Sequence, residues 1–152
     1  MVPILGDSFL ELLPHRPPMR LVEEVVDVVP GQSARARRVA APGDWYFQGH
    51  FPGDPVVPAI VLVELLAQTG GFAAASAPGE RAGARALRVA AFGAFKFPGA
   101  ARPGAVLEAS ARVVARMGGL VKIEGTVTAD GVTVAAGGVT LAEVLSPGSA
   151  AP

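Results

Sequence analysis

The chain has 152 residues, 51% of them hydrophobic, and its 13 basic and 13 acidic residues cancel to a formal charge of zero. That length suffices to bury one core without staples, and the balanced charge, with no Lys/Arg-rich run, argues against a nucleic-acid binder. With no cysteine and only two histidines, His15 and His50, a disulfide framework, a cysteine nucleophile and a thiolate or histidine-rich metal site are all excluded or disfavoured.

Asp7 and Glu11 interrupt the apolar N-terminus, and no basic segment precedes them, which makes a poor signal peptide. Ser8 followed by Glu11 forms a capping-box pattern, so a short helix is expected over Ser8–Leu13, stopped by the prolines of "PHRPP". The valine-rich segment Leu21–Val29 suits a strand, Pro30-Gly31 a turn, and Ser33–Ala40 a second strand with Arg35 and Arg37 on one face. Trp45, Tyr46, Phe47 and Phe51 gather four of the nine aromatic residues, as core or as the lining of an apolar channel.

Between Pro55 and Gly79 the only charge is Glu64. The run could just span a bilayer, but its prolines, the Gly70-Gly71 pair and Glu64 argue against a membrane segment, so a soluble intracellular protein is expected. A helix over Val57–Ala75 would be apolar almost all round and therefore buried on most sides. "SAPGERAG" reads as a loop and Leu87–Phe97 as a strand, with Phe95 and Phe97 on one face. Alternation then runs through Leu107–Arg116 and Val121–Thr128, with Gly118-Gly119 and Asp130-Gly131 placed for hairpin turns. The expected fold is α+β, an antiparallel sheet wrapped around one long helix, with an uncovered edge or flank that a homodimer would bury.

On a helix Glu64 and Gln68 share a face, and the neighbours Val61, Leu62, Val63, Leu65 and Leu66 are apolar. Burial there should raise the Glu64 pKa toward a neutral acid able to donate a proton, with His50 as the complementary base. Residue types alone leave two plainer readings open. Glu64 could pair with an arginine of a neighbouring subunit, and His50 could bond a loop carbonyl. His15, in "LPHRPP", is read as ordering a loop rather than doing chemistry.

Three segments, "LPHRPPMRLVEEV", "FQGHFPGDPVVPAIVLVELLAQTGG" and "FKFPGAARPGAVLEASARV", occur in this order. From about Leu12 to Val144 the chain resembles the 3-hydroxyacyl-acyl-carrier-protein dehydratases of the hotdog fold, FabZ type. "SPGSAAP" at 146–152 reads by composition as a disordered tail. The resemblance implies one hotdog domain over residues 1–145 and a cytoplasmic enzyme of fatty acid synthesis. It implies that His50 removes the C2 proton and Glu64 protonates the departing 3-hydroxyl, the two meeting across a dimer interface. By the same resemblance Phe51, Gly53, Pro58, Ala59, Ile60 and Gln68 touch substrate, with amides near Ala59 and Ile60 facing the thioester carbonyl. No metal or organic cofactor is implied. The implied partners are an acyl carrier protein bearing a 3-hydroxyacyl chain, or an acyl-CoA, and a second copy of the chain, as a dimer or a trimer of dimers. Ala59 stands where the family usually has Gly, which keeps a non-catalytic acyl-thioester-binding paralogue as the alternative, ahead of a hotdog thioesterase.

Overall fold

Asp130-Gly131 closes its hairpin as the sequence predicts, with φ of +47° and +84°, the two positive values of a type I′ turn. The computed structural model describes residues 2–5, 10–75 and 85–145. The expected helix start at Ser8 and the tail at 146–152 lie outside these residues, as does the "SAPGERAG" loop.

The strands are β1 (Val2–Leu5), β2 (Glu24–Val29), β3 (Ser33–Val39), β4 (Arg85–Phe92), β5 (Val106–Met117), β6 (Leu120–Ala129) and β7 (Val132–Leu145). They form one antiparallel sheet in the order β1-β2-β3-β5-β6-β7-β4. Between β3 and β4 lie a 3-10 turn at Trp45–Phe47 and the long helix α1 (Ala59–Ala74). β1, which sequence patterning does not signal, pairs with β2 at the edge opposite β4.

Helix and sheet meet along the alternation legible in the sequence. Leu107, Ala109 and Ala111 of β5, with Val121, Ile123 and Val127 of β6, are buried in one cluster with Val61, Leu62, Leu65 and Leu66 of α1. Each such large aliphatic side chain contributes roughly 2 kcal/mol on burial. Contact is close at Gly125, where an added Cβ would overlap Ser110 O and come within 2.7 Å of Leu66 Cδ1. Only glycine lets Leu66 reach the sheet there.

Of the boundaries that differ from expectation, three have a legible local reason. β2 starts at Glu24 rather than Leu21, because the Leu21 and Val22 amides turn inward to the Gln68 side chain. β4 ends at Phe92. Beyond it the chain keeps one bridge, Lys96 to Ala136, while Phe95 and Phe97 stack 5.9 Å apart. The α1 start moves to Ala59 because Pro58, at φ −58° and ψ 143°, is its N-cap. In β5 a register shift between Val113 and Ala115 breaks the alternation, so that Ala115 and Met117, inward by the pattern of Leu107, Ala109 and Ala111, are exposed.

The 3-10 turn carries the chain's only tyrosine, Tyr46. Its buried hydroxyl donates to Asp44 Oδ2 at 2.7 Å and accepts from Arg38 Nε at 3.3 Å. Burial, aided by the Asp44 bond and opposed by Arg38, pushes the Tyr46 pKa up to about 12. The folded value lies above the unfolded one, so this stabilisation is complete below pH about 10 and disappears as pH rises toward 12. Tyrosinate absorbance during alkaline titration should therefore appear near pH 12, or jump earlier only together with unfolding. A midpoint near 10 in the folded protein would contradict the burial argument.

Candidate active site

The segment from the 3-10 turn to α1 positions the histidine through its turns. Phe51-Pro52-Gly53-Asp54 folds back with Asp54 N donating to Phe51 O at 3.0 Å, and Gly53 has φ +77°. Proline second and a positive-φ glycine third are what a type II turn requires. Val56 N donates to His50 O at 2.9 Å, and His50 Nδ1 lies 3.1 Å from Val56 O. A carbonyl can only accept, so the proton sits on Nδ1 and Nε2 keeps its lone pair as the basic position. The plainer reading of His50, a bond to a loop carbonyl, thus holds, and that bond fixes the tautomer a base needs. Phe51 stacks on the imidazole at 4.2 Å between ring centroids. Arg102 pairs with Asp54 and Val57 N donates to Ala101 O, anchoring the loop to the 101–102 segment.

The chain then enters α1. Val61 and Leu62 amides turn back to Pro58 O at 3.0 and 3.3 Å. Those of Ala59 and Ile60 have no acceptor among the described residues, so the helix start presents two free donors at its positive dipole end. Ile60 is 76% exposed beside them, and Phe51, Gly53 and Ala59 are exposed too. Pro58 is buried.

Glu64 lies further along α1 with its side chain 26% exposed. Its Oε1 accepts from Gln68 Nε2 at 3.0 Å and lies 3.4 Å from His15 Nε2. The sequence-based expectation of a raised pKa is corrected by these neighbours. The His15 bond, with a smaller contribution from Gln68, holds the Glu64 carboxyl below its ordinary range against the opposing effect of burial. The depressed value gives stability that is full above the unfolded pKa of about 4.3 and lost as pH falls through the folded value.

Gln68 is buried, and its amide is fully committed within the chain. Oε1 accepts from Leu21 N and Val22 N, at 2.8 and 3.4 Å, and Nε2 donates to Met19 O and Glu64. Gln68 thus holds Glu64 and has no donor or acceptor left for a polar contact with substrate. His15, set aside as a loop residue, is the second correction. Arg16 orders that loop through Leu13 O, His15 O and Glu11, and the His15 ring is free to face Glu64. Within the chain, among the described residues, no hydrogen bond or ion pair joins His50 to Glu64.

A long apolar helix wrapped by an antiparallel sheet is the hotdog architecture, here with a histidine turn leading into the helix and a carboxylate along it. Residues 13–137 match the FabA-like domain, and the chain belongs to that family. It is 42% identical over 100 residues to the 3-hydroxyacyl-[acyl-carrier-protein] dehydratase FabZ of Chloroflexus aggregans, covering 66% of this chain and 68% of that protein. It is 35% identical over 130 residues to the FabZ of Roseiflexus sp. strain RS-1, covering 86% and 90%. Among solved structures, the dehydratase heterocomplex ApeI:P from Xenorhabdus doucetiae superposes with a TM-score of 0.71 at 18% identity, over 89% of this chain and 90% of that one. At that identity the likeness speaks for the fold alone. No helix of the described residues is long and apolar enough to cross a membrane.

Proposed function

We propose that the chain dehydrates 3-hydroxyacyl thioesters carried on acyl carrier protein to trans-2-enoyl thioesters, in the cytoplasm and in the service of fatty acid synthesis. The observation that carries this reading is the His50 Nδ1 bond to Val56 O, which leaves Nε2 without a partner among the described residues, set before a helix entry with two amides likewise unpaired among them. His50 Nε2 takes the C2 proton, and the electrons of that bond become the C2–C3 double bond as C3–O breaks. Glu64 gives its proton to the leaving hydroxyl, which departs as water. The charge that builds on the thioester oxygen is met by the Ala59 and Ile60 amides. His50 then returns its proton to solvent and Glu64 is reprotonated. The FabZ relatives and the FabA-like match support the reaction class.

The working unit in this reading is a homodimer. β4 is an edge strand of the sheet, with Val89 exposed and Phe92 57% exposed, and it carries no charge after Arg88. Such an edge pairs readily with a second copy. Among the described residues no hydrogen bond or ion pair joins His50 to Glu64 within one chain, and in this reading each site draws one residue from each copy. Closure by a partner and an acyl chain excludes water from Glu64 and pushes its pKa back up, toward the acid form the reaction needs.

Hydration of a crotonyl thioester, the reverse reaction, tests the activity directly. Co-expressed His50→Ala and Glu64→Gln chains test the shared site. Random pairing gives mixed dimers with one intact site, so activity should recover to about a quarter of wild type, although each variant alone is inactive. No recovery would place both residues in one chain. Tight acyl-thioester binding without turnover by the wild type would select the non-catalytic alternative.

A further inference from the structure

Among the described residues two polar side chains stand against Glu64 without a step of their own in the mechanism, Gln68 one turn along the helix and His15, which comes from a part of the chain remote from it. Its ring is presented by a fixed loop. Arg16 holds the Leu13 and His15 carbonyls at 2.7 and 2.8 Å, Arg20 N donates to Arg16 O at 3.0 Å, and Gln68 binds Met19 O and Leu21 N. Two observations set the ring's chemistry. Nε2 faces Glu64 Oε1 at 3.4 Å, while Nδ1 is buried without a hydrogen-bond partner among the described residues. A buried N–H lacking an acceptor costs more than a bare ring nitrogen lacking a donor, because the proton is the group that most needs a partner. The arrangement therefore suits the tautomer with its proton on Nε2 and none on Nδ1. In that tautomer both neighbours of Oε1 are donors, the Gln68 amide and the His15 ring.

We propose that His15 is a positioning residue for the acid, donating from Nε2 to Glu64 Oε1 alongside Gln68 so that Oε2 alone bears the transferable proton. With Oε1 committed to two fixed donors, the acidic proton sits on a defined oxygen, and the carboxylate left after transfer is received by donors already in place. The 3.4 Å separation is long for such a bond, as contacts in a site without substrate commonly are. The lowered Glu64 pKa agrees with two donors at its carboxylate. No other titratable group pairs with Glu64 among the described residues, and the neighbouring Arg16 is engaged with Glu11 and two carbonyls.

The proposal rests on the dehydratase reading, so its test has a readout that does not need turnover. Carbon-13 labelling reports the Glu64 carboxyl titration, assigned against Glu64→Gln, and nitrogen-15 labelling reports the His15 tautomer. His15→Phe keeps a flat ring without the donor, and His15→Gln restores an amide N–H near the Nε2 position. His15→Phe should raise the Glu64 midpoint and lower kcat about tenfold with KM little changed, and His15→Gln should restore much of both. A His15 signal with Nε2 protonated and Nδ1 bare is expected in the wild type. The proposal is overturned by a His15 signal with Nε2 bare, by an unchanged Glu64 midpoint in His15→Phe, or by His15→Gln behaving as His15→Phe does. If the wild type fails to hydrate any thioester, the functional reading falls, while the Glu64 midpoints still decide the role of His15.

Discussion

His50→Ala and Glu64→Gln should each lower kcat for crotonyl-thioester hydration by about 10²–10⁴-fold, the range general acid–base groups supply. The expectation of intact folding comes from what each side chain leaves behind. Removing the His50 imidazole loses one bond to Val56 O. The main-chain bonds His50 N to Phe47 O and Val56 N to His50 O remain, as does the type II turn after it. Glu64→Gln keeps an oxygen able to accept from Gln68 at the same place and removes the acid proton, at the small cost of the stability that the depressed carboxyl pKa contributes. Both variants should therefore melt close to the wild type and bind the thioester with KM changed far less than kcat. Circular dichroism melts beside full kinetics make the comparison. Either variant turning over at the wild-type rate would end the assignment of these two residues.

Sequence periodicity reports which face of an element is buried, and here it was informative. The alternation of Leu107–Ala111 and Val121–Val127, the Asp130-Gly131 turn and the apolar helix all follow from pattern and turn chemistry. His50 and Glu64 stood out for the same kind of reason, a scarce residue and a misplaced charge. What covers a buried face comes from elsewhere in the chain and leaves no local signature. The Gln68 bonds to Leu21 N and Met19 O span 47 and 49 positions, and His15 reaches Glu64 over a similar separation. Reading the helix alone therefore surrounds Glu64 with its own leucines and gives a raised pKa. The loop supplies a donor that reverses the sign. Neither strand length nor composition signals the β5 register shift either, because one inserted residue exchanges the faces without changing the letters.

The same separation makes Gln68 the polar residue whose loss should cost the fold most. In Gln68→Leu the side chain has similar volume, but the Leu21 and Val22 amides, in residues each only 1% exposed, lose their acceptor. At about 1–3 kcal/mol for each buried unpaired group, the loss is roughly 3–5 kcal/mol. That is a large part of the stability of an ordinary domain and corresponds to a melting temperature lower by roughly 10 °C. Met19 O adds less, since its bond to Gln68 is only partly buried. Gln68→Glu separates the structural from the chemical part. Its oxygen still accepts the two amides, so less stability is lost at acid pH, but a second carboxylate then stands against Glu64 where the amide now donates at 3.0 Å. Like charges at that range force the pair to share a proton and raise the Glu64 pKa. A raised folded value gives stability that is present at low pH and lost as pH rises, so Gln68→Glu should melt progressively lower than the wild type above neutrality. The expected order of melting temperatures at pH 5 is wild type, then Gln68→Glu, then Gln68→Leu, with the gap between the two variants narrowing as pH increases. A Gln68→Leu chain melting within a degree or two of the wild type would mean that the 19–22 segment satisfies its amides without the helix.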